Sequence, residues 1–191
     1  MMSAVLTAAV VAAVAVPLTW IIIIYNRLIR LRNMAEGAWS DTDVQLKRRH
    51  DRIPNLLEVV RAYAAHESST LLSVVGARRA VRATAGGGGD LQQRGTSEAR
   101  LTQAIGGLLV QVEAYPALKA DQNFRALQGS LSDIEEAIQN ARRYYNAVVR
   151  DLNTAIQQFP ALLFSGALGF VRKSFFEIEA EERANPAVRL G

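Results

Sequence analysis

The chain has 191 residues, of which 22 are Lys or Arg, 18 are Asp or Glu and none is cysteine. The lack of cysteine excludes a disulfide framework, a thiolate metal site and a cysteine nucleophile, and a net charge of +4 spread among acidic residues argues against nucleic-acid binding. Half of the residues are apolar and only 7% are aromatic, which favours Ala-, Leu- and Val-rich helices over a β-sandwich.

The first predicted element is an N-terminal transmembrane helix. Residues 4–24 carry no charge, and at ~1.5 Å per residue a helix of this length matches the ~30 Å hydrocarbon core of a bilayer. Trp20 and Tyr25 lie near its C-terminal end, where amphipathic rings prefer the membrane interface. A cleavable signal peptide is the alternative, but no Lys or Arg precedes the run, which ends in four isoleucines, a poor cleavage site. We therefore predict an uncleaved anchor over residues 1–25.

The charges beside the anchor predict its orientation. Arg27, Arg30 and Arg32 follow the apolar run directly, and nothing basic precedes it except the α-amino group. By the positive-inside rule, the domain that follows the anchor lies in the cytoplasm. A large following domain weakens this rule, so the opposite orientation stays open.

One face of the anchor carries small residues at four-residue spacing, Ala4, Ala8 and Ala12. Small residues at this spacing let helix backbones approach closely within a bilayer, so this face is a candidate surface for a homo-oligomer. The alternative is that alanine is simply common in this segment. The lipid bilayer is itself a predicted partner of the anchor.

Residues 26–176 are predicted to form a bundle of four helices. The last helix shows apolar residues at alternating three- and four-residue steps for five heptads, a pattern typical of coiled-coil packing that stops before Pro160. These residues are Phe124, Leu127, Leu131, Ile134, Ile138, Ala141, Tyr145, Val148, Leu152, Ala155 and Phe159. A short helix is predicted after Pro160.

The three earlier helices follow from shorter runs of the same spacing. The third extends from Leu101 to Tyr115, with Ser97 as its predicted cap and Pro116 as its end, and the second extends from Leu56 to about Val81. No helix-breaking residue lies between the anchor and residue 54, so the membrane helix is predicted to continue into the first helix of the bundle.

Two connections between the helices are predicted. Ile53-Pro54-Asn55 is predicted to form a tight corner between helices one and two, and Gly86 to Gly89 with Asp90 and Gly95 a flexible loop between helices two and three. Four helices with short connections pack most simply as an antiparallel bundle. The predicted fold is therefore all-α, with the anchor continuing into an antiparallel four-helix bundle, followed by a loosely ordered acidic tail over residues 177–191.

No catalytic, cofactor-binding or metal site is predicted. The glycine run is not followed by Lys and then Ser or Thr, as a phosphate-binding loop requires. His66-Glu67 lacks the second histidine of a zinc-binding signature, because position 70 is Thr. We therefore expect neither a cofactor nor enzymatic activity.

Nine polar residues are nevertheless candidates for a specific role. The candidate interaction surface comprises Asp43, Gln45, Arg48, Arg49, His66 and Glu67. For the first four of these, hydrogen bonds and salt bridges that fix the register between helices are the alternative. The candidate structural polar residues, which lie near the predicted helix seams, are Glu113, Asn146 and Asn153.

Short motifs occur in order through nearly the whole chain. They are Tyr25–Leu28, Ala38-Trp39, Asp43–Arg49, Ile53–Leu56, His66-Glu67, Glu113–Ala120, Asn123-Phe124, Ala141–Asn146, Asn153 and Phe159-Pro160. Together these motifs resemble the LemA family of bacterial membrane proteins. The resemblance implies one N-terminal transmembrane helix in the bacterial inner membrane, a following four-helix bundle and no established enzyme activity. The glycine-rich loop departs from the family pattern.

The leading functional hypothesis is a membrane-anchored helical scaffold that organises other membrane or envelope proteins. The alternative is a signalling or envelope-stress sensor accessory, in which the continuous helix transmits changes between the membrane and the bundle. An enzyme is the third and least favoured hypothesis, because no catalytic motif is recognisable.

Overall fold

The chain is all-α in a computed structural model that describes residues 1–63, 68–85 and 90–178, except for the side chains of residues 4, 5, 8, 10 and 68. Within these residues the helices are α1 (Met2–Tyr63), α2 (Ser68–Ala85), α3 (Leu91–Val112), α4 (Pro116–Ala120), α5 (Gln122–Gln157) and a 3₁₀-helix at Ala161–Leu163. No strand occurs in the described ranges. The predicted all-α class is confirmed, while the antiparallel arrangement of four helices stays a prediction.

Helix α1 continues through the position where the sequence predicted a corner. Residues 53–55 are helical, so the predicted corner is wrong. Pro54 has no N–H to donate to the preceding turn, and a proline inside a helix costs about 3 kcal/mol. Its ring is exposed, however, and the neighbouring Ile53, Leu56 and Val60 are fully or almost fully buried. Full burial of each such side chain contributes ~1.5–3 kcal/mol, so the packing outweighs the proline.

The N-terminal part of α1 is apolar and exposed. Val14, Trp20 and Ile22 are 57%, 53% and 57% exposed. In the part of the chain that the structure describes, α1 is the one helix long and apolar enough to cross a membrane, which is compatible with a single-pass membrane protein. In the candidate self-association face, the side chains of Ala4 and Ala8 lie outside the described residues, so that surface stays a prediction.

The chain divides into two compact units, and both include parts of α1 and α5. Unit 1 comprises residues 1–41 and 143–174, and unit 2 comprises residues 42–142 with the segment from Phe175 onward. The buried apolar residues of unit 1 are Leu28, Ala35, Ala38, Tyr145, Val148, Val149, Leu152, Ala155, Ile156, Ala161 and Phe170. The core cluster of unit 2 is Ile53, Leu56, Leu57, Val60, Leu71, Val74, Val81, Leu101, Ile105, Leu108, Val112, Leu118, Phe124 and Leu131.

The segment after α5 is fixed within unit 1 by side chains of α1 and α5. The buried Asn153 donates its Nδ2 to the carbonyl oxygen of Lys173 and accepts the backbone N–H of Lys173 at Oδ1, each at 2.9 Å. Tyr145 donates its hydroxyl to the carbonyl oxygen of Ser174 at 3.0 Å, and burial raises the pKa of Tyr145. Lys173 Nζ donates to Glu36 at 3.2 Å.

Helix α3 begins earlier than the sequence predicted. Asp90 is its cap, because the side chain of Asp90 accepts the N–H of Gln92 at 3.1 Å. The predicted cap Ser97 is wrong, since Ser97 lies inside α3 and donates its hydroxyl to the carbonyl oxygen of Gln93 at 3.0 Å. Gly95, predicted to lie in the loop, is helical as well. The predicted loop residues 86–89 lie outside the described residues.

The short elements near the prolines differ in part from the sequence prediction. Pro116 follows the end of α3 as predicted, but it also opens α4, which the sequence did not predict. Helix α5 ends at Gln157, before Pro160, in agreement with the heptad pattern. A 3₁₀-helix stands where a short helix was predicted after Pro160.

Gly95 is required for a close backbone contact within unit 2. A Cβ at this position would overlap the carbonyl oxygen of Glu177, so the two backbones approach only because residue 95 has no side chain. We predict that Gly95→Ala lowers the free energy of unfolding by about 1–3 kcal/mol, because α3 or the Glu177 segment must shift. Chemical denaturation of the full chain in detergent micelles measures this change.

Gly106→Ala is the matched control for this prediction. Gly106 lies in the same helix, and a Cβ there would meet no atom within 4 Å. Alanine at this position is expected to stabilise the protein by about 0.5–1 kcal/mol, because it lowers the backbone entropy lost on folding. Similar effects of the two substitutions would contradict the proposed role of Gly95.

Candidate interaction site

A buried arginine joins three helices of unit 2. The guanidinium of Arg49 on α1 donates to Glu98 on α3 and to Glu135 on α5, each at 2.6 Å. It also donates to the hydroxyl of Thr102 on α3 at 2.7 Å. Arg49 and Glu98 are each 1% exposed. Charge-assisted hydrogen bonds therefore connect α1, α3 and α5 at one point.

Arg49 occupies a core position of α1. It lies three residues after Leu46 and four before Ile53, and both neighbours are buried. An apolar side chain is the ordinary occupant of such a position in a helical seam. An unpaired buried charge is strongly unfavourable, so the buried guanidinium of Arg49 needs partners of opposite charge. The carboxylates of Glu98 and Glu135 are those partners.

A pocket of about 270 Å³ lies where α1, α2 and α3 meet. We call it the charged pocket because charged or titratable side chains from all three helices line it. These residues are Asp43, Lys47, His50, Asp51, Arg82, Arg94 and Glu98. Charges of both signs suit a polar or charged segment of a partner better than an apolar ligand, since opposite charges give orientation and specificity.

The charges of this pocket differ in their accessibility. Arg94 donates to Asp43 across the pocket, and Glu98 is held by Arg49. Lys47, Asp51 and Arg82 are exposed at the rim, where the two basic side chains outnumber the one acidic side chain. An approaching partner would therefore meet Lys47, Asp51 and Arg82 before it met the paired residues.

His50 lies half-buried in the charged pocket. Its Nε2 is 3.3 Å from the carbonyl oxygen of Arg78. Burial lowers the pKa of His50 below its ordinary value; the charges of Arg78 and Arg82 act in the same direction, and the hydrogen bond to Arg78 and the charge of Glu98 oppose them. The imidazole is therefore neutral at pH ~7, and its Nε2 carries the hydrogen that is donated to the carbonyl oxygen of Arg78.

Of the six predicted interaction residues, the four that the structure describes do not lie together on one surface. Asp43 lines the charged pocket, whereas the exposed Arg48 donates to the half-buried Gln45 at 3.1 Å, one turn back along α1. Arg49 is buried, so its placement on a surface is corrected to a place in the core. His66 and Glu67 lie outside the described residues.

The three candidate structural residues also differ from one another. Glu113 directly follows the buried Val112 at the end of α3, and it is exposed and binds Lys119 in a surface ion pair. Such exposed pairs contribute about 0–1 kcal/mol. Asn146 is half-buried on α5, and Asn153 holds the segment after α5 as described above.

Sequence reasoning missed the acidic partners of Arg49. Glu98 lies three residues before Leu101, and Arg94 lies four residues before Glu98, so both continue the helical spacing of the apolar series of α3. This spacing was a signal that Glu98 and Arg94 face the other helices. Glu135 follows Ile134 beside the α5 seam and gives no comparable signal. In the described ranges, no group of three or more His, Cys, Asp or Glu is arranged to hold a metal ion.

Comparison with known proteins identifies relatives over most of the chain. The sequence profile of the LemA family matches residues 38–190. Magnetosome protein MamQ of Magnetospirillum gryphiswaldense is 26% identical over 182 residues, which cover 83% of this chain and 66% of the relative. Magnetosome proteins MamQ 1 and MamQ 2 of Paramagnetospirillum magneticum are each 24% identical over 176 residues, covering 80% of this chain and 64% of the relative. The chain thus spans just under two thirds of the length of these relatives.

The Arg49 network predicts a large difference between two adjacent arginines. Arg49→Met is expected to lower the free energy of unfolding by about 3–5 kcal/mol, because it leaves the buried Glu98 without its partner. Arg48→Met, at an exposed position of the same helix, is expected to cost less than about 1 kcal/mol. Denaturation of both variants in detergent micelles checks the prediction.

A double-mutant cycle separates the ion pair from the loss of packing. Glu98→Gln combined with Arg49→Met is expected to destabilise the protein by less than the sum of the two single substitutions, because neither Arg49 nor Glu98 is left as a fully buried charge without its partner. Strict additivity would show that the two side chains do not interact.

Proposed function

We propose that this chain, which belongs to the LemA family, is a membrane-anchored helical interaction protein without catalytic activity. Helix α1 is the observation that carries the proposal. One uninterrupted helix supplies the exposed apolar segment near the N-terminus and buried core residues of both units. A protein built in this way holds a helical domain at a bilayer surface, where it meets partners that diffuse in or near the membrane.

The charged pocket is the proposed contact surface. At its rim the exposed Lys47 and Arg82 outnumber the exposed Asp51, and the paired Asp43 and Arg94 provide a polar wall. The proposed partners are other membrane or envelope proteins that present a charged segment. The proposed location of the domain is the cytoplasmic side of the bacterial inner membrane, on the basis of Arg27, Arg30 and Arg32 beside the anchor.

The relatives support a membrane-associated helical protein. Their names assign them to the magnetosome, but this chain shares only about a quarter of their residues and spans just under two thirds of their length. Their organelle is therefore not proposed for this chain.

A sensor accessory is the second candidate function. The continuity of α1 supports it, because a rigid helix transmits rotation or displacement along its axis. This function requires two packed states of the helical domain. Hydrogen exchange of the buried amides of α1 would reveal a second state, whereas a single rigid state would count against this candidate.

The orientation is tested with cysteine probes, which the chain accepts cleanly because it has no cysteine. Ser3→Cys and Ser73→Cys place one exposed thiol near the start of α1 and one on α2. In spheroplasts treated with an impermeant maleimide, we expect Ser3→Cys to be labelled at once and Ser73→Cys only after lysis. Labelling of both before lysis would contradict a single span, and the reverse pattern would contradict the cytoplasmic location alone.

The contact surface is tested with a photo-reactive residue in place of Lys47. Irradiation of cells is expected to give a discrete covalent adduct from position 47, and Arg82→Glu is expected to abolish it by reversing a rim charge. Arg79 is the matched control, because it is exposed on α2 and does not line the charged pocket. Identical adducts from positions 47 and 79 would reject the charged pocket as the contact surface.

A further inference from the structure

Residues 159–171, which follow α5 in unit 1, form an apolar segment without a charged side chain. Phe159, Leu163 and Val171 are 75%, 72% and 74% exposed, and Leu162 is 60% exposed. Large apolar side chains that lie together at a surface commonly mark a site of contact with another molecule or a membrane.

Hydrogen bonds fix the conformation in which these apolar side chains are exposed. Ser165 donates its backbone N–H to the carbonyl oxygen of Ala161 at 2.8 Å, and Phe170 donates to the carbonyl oxygen of Ser165 at 2.9 Å. Ser165 also donates its hydroxyl to the carbonyl oxygen of Ile156 at 3.4 Å. Ala161, Ser165 and Phe170 are buried. These contacts hold the segment in one conformation, and the exposed side chains between them project away from the core of unit 1.

Contacts with α1 give the level of this segment along the anchor helix. The ring of Phe170 meets the ring of Tyr25 edge-on, with centroids 5.8 Å apart, and the guanidinium of Arg32 lies 5.6 Å from the centre of the Phe170 ring. Tyr25 directly follows the charge-free run of residues 4–24. Phe170 therefore lies beside α1 at the point where the apolar run ends.

The residues that follow Phe170 lie progressively further from the anchor. Lys173 binds Glu36, and Tyr145, which binds the backbone of Ser174, has its ring 5.4 Å from that of Trp39. Along α1, Trp39 is 14 residues beyond Tyr25, which is roughly 21 Å. Helix α5 leads towards the anchor as well: Tyr145 meets Trp39, and Asn153, eight residues later, binds Lys173, which binds Glu36. The segment that follows α5, with Ser165 bound to Ile156, therefore lies at the anchor end of unit 1.

We propose that residues 159–171 are a second membrane-binding element, which inserts its exposed apolar side chains into the lipid interface beside the end of the anchor. Transfer of apolar surface out of water contributes ~25 cal/mol per Å². The exposed Arg27, Arg30 and Arg172 flank this region, and such residues bind the phosphate groups of anionic lipids. A bilayer is favoured over a second copy of the chain because the segment is continuous with the end of the apolar run of α1.

This element would give unit 1 two attachments to the bilayer. A single spanning helix is free to rotate about its axis, whereas a helix with a short apolar segment inserted beside it presents one fixed side to the membrane. The inference rests on the anchor in the proposed function, and the experiment therefore includes a separate probe of the anchor.

The test uses three single-cysteine variants of the full chain, Leu163→Cys, Tyr144→Cys and Val14→Cys. Leu163 belongs to the proposed element and Val14 to the anchor. Tyr144 is the matched control, because it is 52% exposed and directly precedes Tyr145, whose ring meets Trp39. Each variant is labelled with an environment-sensitive fluorophore and reconstituted into vesicles of phosphatidylcholine and phosphatidylglycerol. Nitroxide-labelled lipids and aqueous iodide are then used as quenchers.

The expected result is that the probe at 163 shifts its emission to shorter wavelength and is quenched several-fold more by nitroxide lipids than the probe at 144. Aqueous iodide is expected to quench the probe at 144 more strongly than the probe at 163. If the probes at 14 and 163 behave oppositely, with only the former quenched by lipid, the second element is rejected and the anchor stands. If neither is quenched by lipid, the anchor itself is rejected.

Mixed samples distinguish a second copy of the chain from lipid. A nitroxide attached to Leu163→Cys in one portion of the protein is combined with the fluorophore at the same position in the other portion. Strong quenching between proteins together with no quenching by nitroxide lipids would overturn the proposal and assign the apolar segment to a contact between copies.

Discussion

The buried seam of α1 is the constraint on which both units depend. Buried residues lie seven positions apart at Leu28 and Ala35 in unit 1 and then recur at three- or four-residue steps to Ile53 and Val60 in unit 2. The period matches that of a helix packed along one face, and any break would turn the residues beyond it away from the core. The helix therefore continues through Pro54, whose cost is smaller than the burial that continuity preserves.

Arg49 places a charge in the middle of this seam. The ion pair with Glu98 is not a strong source of stability, because desolvation of two charges offsets much of their attraction. Its effect is on specificity: α1, α3 and α5 have to meet in the one register that brings Glu98, Glu135 and Thr102 to the guanidinium. The same register brings α1, α2 and α3 together around the charged pocket, so a structural requirement and the proposed contact surface share residue Glu98.

Unit 1 shows how the chain after α5 is given a defined position without regular secondary structure. From residue 170 to 174, where unit 1 ends, the backbone is in neither a helix nor a strand, and its polar groups need partners from elsewhere. Asn153 satisfies both backbone groups of Lys173, and Tyr145 satisfies the carbonyl of Ser174. Side chains of α5 thus make the hydrogen bonds that a neighbouring strand would make in a sheet. They also fix the position along α1 at which the preceding apolar segment lies.

The sequence by itself determined the elements whose signals are local. The charge-free run of residues 4–24 indicated the apolar helix, the heptads indicated α5, and the lack of cysteine excluded several kinds of site. The predicted corner at Pro54 and the predicted helix cap at Ser97 were wrong, because the local conformational preferences of proline and serine are outweighed by packing. Only the tertiary structure decided that Arg49 is a core residue, that Lys47 and Arg82 lie at one rim, and that Gly95 admits the backbone of Glu177. Each of these depends on residues far apart in the chain, and the spacing within one helix fixes which residues share a face but not which helix that face meets.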